Sequence, residues 1–289
     1  MSNTQHRLLL HALDAPWACL PEHHALVCSL VEGWIRGDRV DLGELQARRG
    51  EPLPGPSRGY EVRNGVAIIP VMGTMAPRAN LMADVSGGVS SELLVRDVRA
   101  AAADPKIKAV ILQIDSPGGA VAGTPAAAAA VMAVRGVKPV AALVEGIMAS
   151  AAYWVGSAAE SVRLSSRVDL AGSIGVRMVH RDISQAKAAA GVTDTEIVAG
   201  RFKNAGSDNG PLSESGREIL QGRVDAIYSE FVGDVARQRG RSVEQVLADM
   251  ADGRVFVGQQ AVDAGLADGF ASLDDLVAEM KDRAKWRRI

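Results

Sequence analysis

Three short segments of this sequence carry groups that could act together in acyl transfer. Ser150 lies in Gly-Ile-Met-Ala-Ser-Ala-Ala-Tyr-Trp (146–154), Lys203 lies between two glycines in 200–206, and Asp-Ser-Pro-Gly-Gly occupies 115–119. Acyl transfer needs a nucleophile, a base that takes its proton, and backbone N–H groups that stabilise the oxyanion. Each segment alone is weak evidence, so the prediction depends on all three together.

Lys203 is the candidate base because the histidines are poorly placed. Four of the five histidines lie near the N-terminus, and His180 lies among charged residues. A lysine can replace histidine in this role when burial lowers its pKa from about 10.4 to near 7–8. Phe202 and Ala205 give Lys203 apolar neighbours. The alternative interpretation is a surface lysine in a flexible loop.

Ser150 lies where a buried strand is expected to turn into a helix of small residues. The apolar segment Pro139–Val144 precedes it and alanines follow it. A serine at a helix start is most often only an N-cap. The surrounding alanines favour a second role, because they let a substrate backbone approach the free N–H groups of the helix terminus.

The paired glycines Gly118 and Gly119 follow an apolar run, Ala109–Ile114, that is typical of a parallel strand buried on both faces. Glycines after such a strand often form only a turn. Here their N–H groups could point at the same oxygen that the Ala151 N–H would meet.

These motifs, in this order, resemble the signal peptide peptidase A family, which includes bacteriophage head-maturation proteases. The resemblance covers roughly residues 60–280. It is carried by the Asp-Ser-Pro-Gly-Gly loop, the segment around Ser150, Ala-Gly-Ser-Ile-Gly-Val at 171–176, and Gly-x-x-Lys-x-x-Gly at 200–206.

The resemblance implies a Ser–Lys dyad of Ser150 and Lys203, with an oxyanion hole from the backbone N–H groups of Gly119 and Ala151. Ser173 would help to orient the lysine amine, and Gly118 would support the hole. The implied fold is α/β, a Clp protease/crotonase-like spiral of ββα units. Clp protease itself needs a histidine where this chain has Gly172–Gly175, so no histidine-based triad is expected.

The resemblance, together with the alanines around Ser150 and the glycine pair, leads to expectations about the substrate and the assembly. We expect protein or peptide substrates, including scaffold or capsid proteins, bound as an extended strand beside Gly118 and Gly119 and cut after small apolar residues. We further expect a homo-oligomer with active sites near subunit interfaces, in which Lys203 serves Ser150 of the adjacent subunit. Neither a cofactor nor nucleic acid is required.

Composition agrees with an enzyme that has a sizeable core. The chain has 289 residues, of which 47% are hydrophobic, and its net charge of −2 implies no general affinity for polyanions. Cys19 and Cys28 form no metal-ligand spacing with histidine, so no metal site is predicted and we expect reduced thiols.

No membrane anchor or signal segment is predicted. The apolar stretches are too short or too rich in alanine to span a bilayer, and polar residues interrupt the leucines at 8–10. The cellular signal peptide peptidases are usually anchored, so this favours the phage branch of the family and a place in the host cytoplasm or the procapsid.

Four segments are predicted along the chain. Residues 1–50 form an N-terminal helical arm, 51–59 a Pro/Gly linker, 60–280 the protease domain, and 281–289 a basic tail. The arm is either a docking element or a packed helical cap, and its apolar face comprises Trp17, Leu20, His24, Val27 and Leu30. The tail is either a solvated helix end or a contact for scaffold or nucleic acid.

Strands and helices alternate through the protease domain. The predicted strands are Val66–Met72, Lys108–Ile114, Val140–Val144, Val162–Leu164 and Thr195–Val198. The predicted helices are Ser91–Ala103, Gly123–Val134, Ile183–Ala190 and Glu214–Arg239. A capping box at Ser242 predicts a further helix, and a strand–helix–turn unit follows at Gly253–Asp268.

Other functions compete with capsid maturation. One is a signal-peptide-peptidase-like protease that acts on host proteins without being anchored in the membrane. A non-catalytic capsid- or scaffold-binding homologue would be expected to have lost Ser150 or Lys203. A crotonase-like acyl-CoA enzyme would need an acidic residue near the oxyanion hole, for which Glu145 is the nearby candidate.

Overall fold

The computed structural model describes residues 15–36, 59–78 and 88–286, which form an α/β protein with parallel and antiparallel pairing. The strands are β1 Trp17–Cys19, β2 Glu61–Arg63, β3 Val66–Met72, β4 Met75–Ala76, β5 Val89–Ser90, β6 Ala109–Ser116, β7 Gly118–Ala120, β8 Val140–Ala149, β9 Ser161–Leu164, β10 Leu170–Gly172 and β11 Val255–Val257. The helices are α1 Pro21–Arg36, α2 Ser91–Ala103, α3 Thr124–Arg135, α4 Ala151–Gly156, α5 Ser184–Ala189, α6 Glu214–Arg239, α7 Val243–Asp249, α8 Gln259–Asp263 and α9 Leu273–Trp286.

The larger sheet has the order β11-β10-β8-β6-β3-β2, and β9 also pairs with β8. Its central strands β3, β6 and β8 run parallel. The first part of β8 pairs with β9 and its last three residues pair with β10. This long strand therefore pairs with two strands in succession before it ends at Ala149, the residue before Ser150.

Both faces of the larger sheet are covered. Alternate residues of β3 point to opposite faces. Ala67 and Ile69 belong to the core shared with α2, α3, α4 and α6, whereas Val66 and Ile68 pack with the apolar side of α9. This explains why the parallel strands consist of almost uninterrupted apolar residues.

A smaller sheet, in the order β1-β7-β4-β5, lies where the central strands end. β4 follows β3, and β7 follows β6, after only one or two residues. The smaller sheet is therefore placed at the carboxyl ends of two central parallel strands, beside the end of β8. In open α/β sheets ligands bind at this edge.

Several predicted elements are confirmed with their boundaries. The strand at Val66–Met72 and the helices at Ser91–Ala103 and Glu214–Arg239 are present as predicted. The capping box of Ser242 and Gln245 is also formed, with each side chain bonded to the other residue's backbone N–H. Local patterns were sufficient here because each element is long and periodic, or has its own cap.

The predicted strand at Thr195–Val198 is wrong. The structure assigns no strand to these residues, and the Ile197 side chain is 94% exposed. The β-branched residues suggested a strand, but this segment lies in an exposed loop with no strand beside it in the described part of the chain. β-propensity is realised only when a pleated surface accepts the side chains.

Trp17 does not belong to a helix, which corrects part of the prediction for the N-terminal arm. Trp17–Cys19 forms β1, and α1 begins only at Pro21. Proline disfavours helical geometry in the residue before it, so the helix cannot extend back through Leu20. The helical spacing of Trp17 with His24 is real, but the two rings meet across the strand–helix junction, 5.4 Å apart.

Parts of the predicted segments lie outside the described residues. These are 1–14 and 37–50 of the arm, 51–58 of the linker and 287–289 of the tail. Residues 281–286 of the tail continue α9. None of the described helices has the length and apolar character needed to cross a bilayer.

Candidate functional site

Ser150 lies at a strained junction between β8 and α4. Its backbone has φ 56° and ψ −117°, a conformation that residues with side chains rarely adopt. Such strain is typical of functional sites, and it also occurs in the strand-to-helix turn that presents the nucleophile of some hydrolases. The Ser150 side chain makes no capping hydrogen bond to α4, so the simple N-cap interpretation is not supported.

Two carbonyl groups near β10 hold Ser150 in place. Its backbone N–H donates to the Gly172 carbonyl at 2.8 Å, and its hydroxyl donates to the Gly175 carbonyl at 3.4 Å. Ser173 lies between these glycines, has φ 52°, and donates its backbone N–H to the Arg254 carbonyl at 2.7 Å. Ser150 is only 1% exposed, so the nucleophile candidate lies at the bottom of a covered site.

Gly118 and Gly119 approach the backbone so closely that neither position has room for a side chain. A Cβ at residue 119 would lie 2.0 Å from the Met75 carbonyl oxygen. A Cβ at residue 118, where φ is 95°, would lie 2.8 Å from the Ala149 oxygen and 3.0 Å from the Ala151 nitrogen. The glycine pair thus brings β7 against the start of α4.

The two glycine N–H groups point to different partners. The Gly118 N–H donates to the Ser116 hydroxyl at 3.2 Å, and that hydroxyl donates to the Gly73 carbonyl at 2.6 Å. The Gly119 N–H points instead toward β1, the strand that pairs with β7. This geometry is compatible with the predicted roles, in which Gly119 is the donor and Gly118 its support.

Lys203 is not brought to Ser150. It lies in an exposed turn over residues 201–206, and its backbone N–H donates to the Gly200 carbonyl at 3.0 Å. Within the described residues its amine forms neither an ion pair nor a hydrogen bond. The surface hollow beside Lys203 is lined by loop residues such as Glu196 and Ser207, and Ser150 does not line it.

His180 is also separate from the nucleophile. Its Nε2 is hydrogen-bonded to the Ser207 carbonyl oxygen at 2.8 Å. Glu145, the acidic candidate for a crotonase-like reaction, accepts a hydrogen bond from the Gln113 amide at 2.6 Å. Among the described residues, neither side chain is hydrogen-bonded to Ser150.

Two aspartates support the site in ways that no sequence motif had indicated. Asp169 accepts hydrogen bonds from the Gly146 N–H at 3.1 Å and from the Ser166 N–H at 2.7 Å, and Asp115 accepts from the Ile147 N–H at 3.2 Å. These bonds hold the last part of β8, which delivers Ser150. Asp115 belongs to the Asp-Ser-Pro-Gly-Gly motif, but nothing in the sequence indicates this role for Asp169.

Burial alters the acid–base properties of the N-terminal segment that lies beside the site. It raises the pKa of the Cys19 thiol to about 12, against a smaller opposing effect of Arg177. It also raises the pKa of Cys28 and lowers that of His24. These groups therefore favour their neutral forms. In the described residues no cluster of histidine, cysteine or acidic side chains could hold a metal ion.

Comparison with known proteins shows which family this sequence belongs to. The sequence pattern of Peptidase family S49 matches residues 133–287, which is more than half of the chain. Capsid assembly protease C of Escherichia phage lambda is 37% identical over 235 residues, covering 81% of this chain and 53% of that protein. Head-tail preconnector protein GP5 of Enterobacteria phage P21 is 38% identical over 225 residues, covering 78% and 44%.

Cellular proteins match as well. Protease 4 of Salmonella typhi is 30% identical over 206 residues, covering 71% of this chain and 33% of that protein. The chain spans about half the length of the two phage relatives or less. The family match includes the strained Ser150 junction, the Ser173 turn and the Lys203 loop, and by this match the chain belongs to Peptidase family S49.

Proposed function

We propose that this chain is a serine endopeptidase that uses Ser150 and Lys203 as a catalytic dyad and acts in phage capsid maturation. The observation that carries the proposal is the strained Ser150 junction, where the hydroxyl, the Ala151 N–H and the Gly119 N–H are all contributed by segments that meet at the end of β8. Membership of a peptidase family supports the same chemistry.

In the proposed reaction, Ser150 Oγ attacks the substrate carbonyl carbon and its proton passes to the neutral Lys203 amine. The Gly119 and Ala151 N–H groups stabilise the resulting oxyanion, which is often the largest single contribution to catalysis. The lysine then gives the proton to the departing amine. Water hydrolyses the remaining ester and restores the serine, with Ser173 orienting the lysine amine.

The exposed position of Lys203 supports a dyad that is shared between subunits. The loop that contains Lys203 also exposes a group of large apolar side chains, namely Val192, Ile197, Val198 and Phe202. Exposed apolar clusters of this kind mark protein–protein contacts. We therefore propose a homo-oligomer in which this loop packs against a neighbour and places Lys203 at the neighbour's Ser150.

The proposed overall fold is the Clp protease/crotonase-like spiral of ββα units. It is supported by the parallel succession of β3, β6 and β8, with α2 and α3 in the connections between them. The smaller sheet at the carboxyl ends of these strands supports it too. In this arrangement the glycine pair and the nucleophile junction come from consecutive units.

The proposed substrates are capsid or scaffold proteins, on the basis of the names of the two phage relatives. The main alternative is a protease that acts on host proteins, for which the likeness to Protease 4 of Salmonella typhi is the supporting observation. A non-catalytic capsid- or scaffold-binding role is less well supported, because Ser150 and Lys203 are both present. We propose no role for a cofactor or for nucleic acid, and a site of action in the host cytoplasm or procapsid.

Substitution of the two dyad residues tests the proposal. Ser150→Ala and Lys203→Ala should each abolish cleavage of a scaffold or capsid protein, and the double variant should be no worse than either, because members of one catalytic unit are not additive. His180→Ala is the matched control and should keep most of the activity. Circular dichroism should show that all variants remain folded. If Lys203→Ala keeps more than about a tenth of the turnover, the dyad assignment is wrong.

A further inference from the structure

The N-terminal strand β1 lies on the backbone groups that would bind a substrate. β1 pairs antiparallel with β7, with Ala18 opposite Gly119. Flanking this pair, the Leu20 N–H donates to the Pro117 carbonyl at 3.2 Å, and the Val121 N–H donates to the Pro16 carbonyl at 3.3 Å. Hydrogen-bonded and non-hydrogen-bonded pairs alternate in such a ladder, so Ala18 and Gly119 form a hydrogen-bonded pair. The Gly119 N–H therefore donates to the Ala18 carbonyl.

The same carbonyl lies beside the Ser150 junction. The Ala18 oxygen is 2.3 Å from the point where a Cβ of residue 118 would lie, and the Ala149 oxygen and Ala151 nitrogen are within 3.0 Å of that point. The Ala18 carbonyl oxygen thus lies near the backbone on both sides of Ser150. In a protease this is the place of the residue whose carbonyl is attacked.

The opposite edge of β1 is also occupied. The Trp17 N–H donates to the Arg177 carbonyl at 3.0 Å, and the Arg177 N–H donates to the Trp17 carbonyl at 2.9 Å. The segment that ends at Arg177 contains Gly175, which accepts the Ser150 hydroxyl. β1 therefore fills a groove between two chain segments, in the way that extended peptides add to open strand edges.

Burial and packing show that the groove fits this segment closely. Trp17, Ala18 and Cys19 are all buried, and Ala18 has no exposed surface. α1 follows at once and holds the strand, because the His24 ring packs on Trp17 and the His24 N–H donates to the Leu20 carbonyl at 3.0 Å. A side chain larger than alanine at position 18 would have to displace the walls of the groove.

We propose that β1 is a tethered occupant of the substrate groove, with Ala18 at the position before the bond to be cut, and that it must leave before another peptide enters. This inference rests on the proposed function. It explains why the Ser150 site is covered, and it identifies the groove as one that accepts an extended segment with a small residue opposite Gly119. Lys203 makes no hydrogen bond to Ser150 in this arrangement, so the strand occupies a site whose base is not in place.

Cys19 gives a measurement of strand occupancy that does not depend on catalysis. In the 289-residue chain carrying Ser150→Ala and Cys28→Ala, Cys19 is the sole remaining thiol. Its reaction with a thiol reagent should be slow, because the docked strand buries it. Burial also raises the Cys19 pKa to about 12, which keeps the thiol in its unreactive protonated form.

Adding a peptide with the sequence of residues 14–22, with serine in place of Cys19, should displace β1 and speed the labelling. A short tether gives the strand an effective concentration in the millimolar range, so the peptide is supplied at several millimolar. The control peptide has aspartate in place of Ala18, because position 18 is fully buried and a carboxylate there would lose its hydration. If both peptides have the same effect, or neither has any, the inference is overturned.

A second measurement uses the chain with Ser150 and Lys203 intact. Ala18→Asp should open the groove and raise kcat/KM on an alanine-rich reporter peptide by about tenfold, because only the open fraction binds substrate. Ala25→Asp, on the exposed side of α1, is the matched control and should leave kcat/KM unchanged. Unchanged activity of the Ala18→Asp variant, in an enzyme that does cut the reporter, would also overturn the inference.

The two measurements separate this inference from the proposed function. If no variant cuts any peptide while the matching peptide still exposes Cys19, strand occupancy of the groove is supported and the protease assignment fails. If the wild-type chain cuts peptides but the matching peptide leaves the rate of Cys19 labelling unchanged, the protease assignment stands and the tethered strand does not block the groove.

Discussion

Among single residues, those around Ser150 have the backbone geometry on which the candidate site depends. The positive φ of Ser150 and Ser173, and the glycines opposite them, bring three separate segments within hydrogen-bonding distance. Strain of this kind costs about 1–3 kcal/mol per residue and persists only where the surroundings enforce it. The buried aspartate Asp169 supplies part of that enforcement through the end of β8.

Gly119 gives a prediction for a single residue. Gly119→Ala should lower the free energy of unfolding by about 1–3 kcal/mol, because its Cβ would meet the Met75 carbonyl oxygen at 2.0 Å. Cleavage should fall with it, since β7 would move away from α4. The measurements are urea denaturation and peptide hydrolysis.

Gly233→Ala is the matched control for this substitution. Gly233 lies inside α6, and no atom lies within 4 Å of the point that its Cβ would occupy, so alanine should stabilise the helix by about 0.5–1 kcal/mol. A Gly119→Ala protein with the wild-type urea midpoint and wild-type cleavage would contradict the close approach of Gly119 to Met75.

Among the helices and strands, the anchoring of α4 and α6 holds the site together. Trp154 of α4 stacks on Phe231 of α6 with ring centroids 4.4 Å apart, and its indole N–H donates to Asp234 at 2.7 Å. At the end of α6, the Arg239 guanidinium donates to Asp268 at 2.6 Å and to the Gly265 carbonyl. α6 therefore anchors α4, the helix that follows Ser150.

The Arg239–Asp268 pair predicts a pH-dependent stability. Burial acts to raise the pKa of Asp268, but hydrogen bonds and charge from Arg239 outweigh it, so the net pKa lies below the usual 3.8. A carboxylate with a lowered folded-state pKa contributes stability above its unfolded-state pKa and loses it as pH falls through the folded-state value. Asp268→Asn should therefore cost about 1–3 kcal/mol at neutral pH, and its difference from wild type should shrink as the pH falls below the usual aspartate pKa of 3.8.

The measurement is urea denaturation of the wild-type and Asp268→Asn proteins from neutral to acid pH. Asp252→Asn is the control, because Asp252 pairs with Arg254 at an exposed site, where an ion pair contributes little. A gap between Asp268→Asn and wild type that stays constant from neutral to acid pH would show that the carboxylate charge is not what stabilises this end of α6.

At the scale of the whole protein, the two proposed dyad residues, Lys203 and Ser150, lie in different surroundings. The Lys203 loop lies in solvent together with a group of exposed apolar residues, whereas Ser150 is buried. An assembly that covers the loop and delivers the lysine to a neighbour would account for both. Such a site would be complete only in the oligomer.

Subunit mixing tests this assembly. Ser150→Ala and Lys203→Ala proteins are each expected to be inactive, but when they are dissociated together and reassembled, some interfaces should pair an intact serine with an intact lysine. Activity should then partly return, measured as peptide hydrolysis, while each variant reassembled alone stays inactive. An inactive mixture in which subunit exchange is confirmed would refute the shared site and leave the dyad itself open to the single substitutions.

Local patterns in the sequence were enough to predict the segments of the candidate site and most of the helices and strands around them. Ser150, the glycine pair and the helix Glu214–Arg239 could be found in this way, because strand-to-helix transitions, paired glycines and helical periodicity involve neighbouring residues. The three-dimensional structure was needed to show that Trp17–Cys19 is a strand and that it lies against Gly119. Strand pairing joins residues that are distant in sequence, and a three-residue strand has no periodicity of its own to indicate its partner.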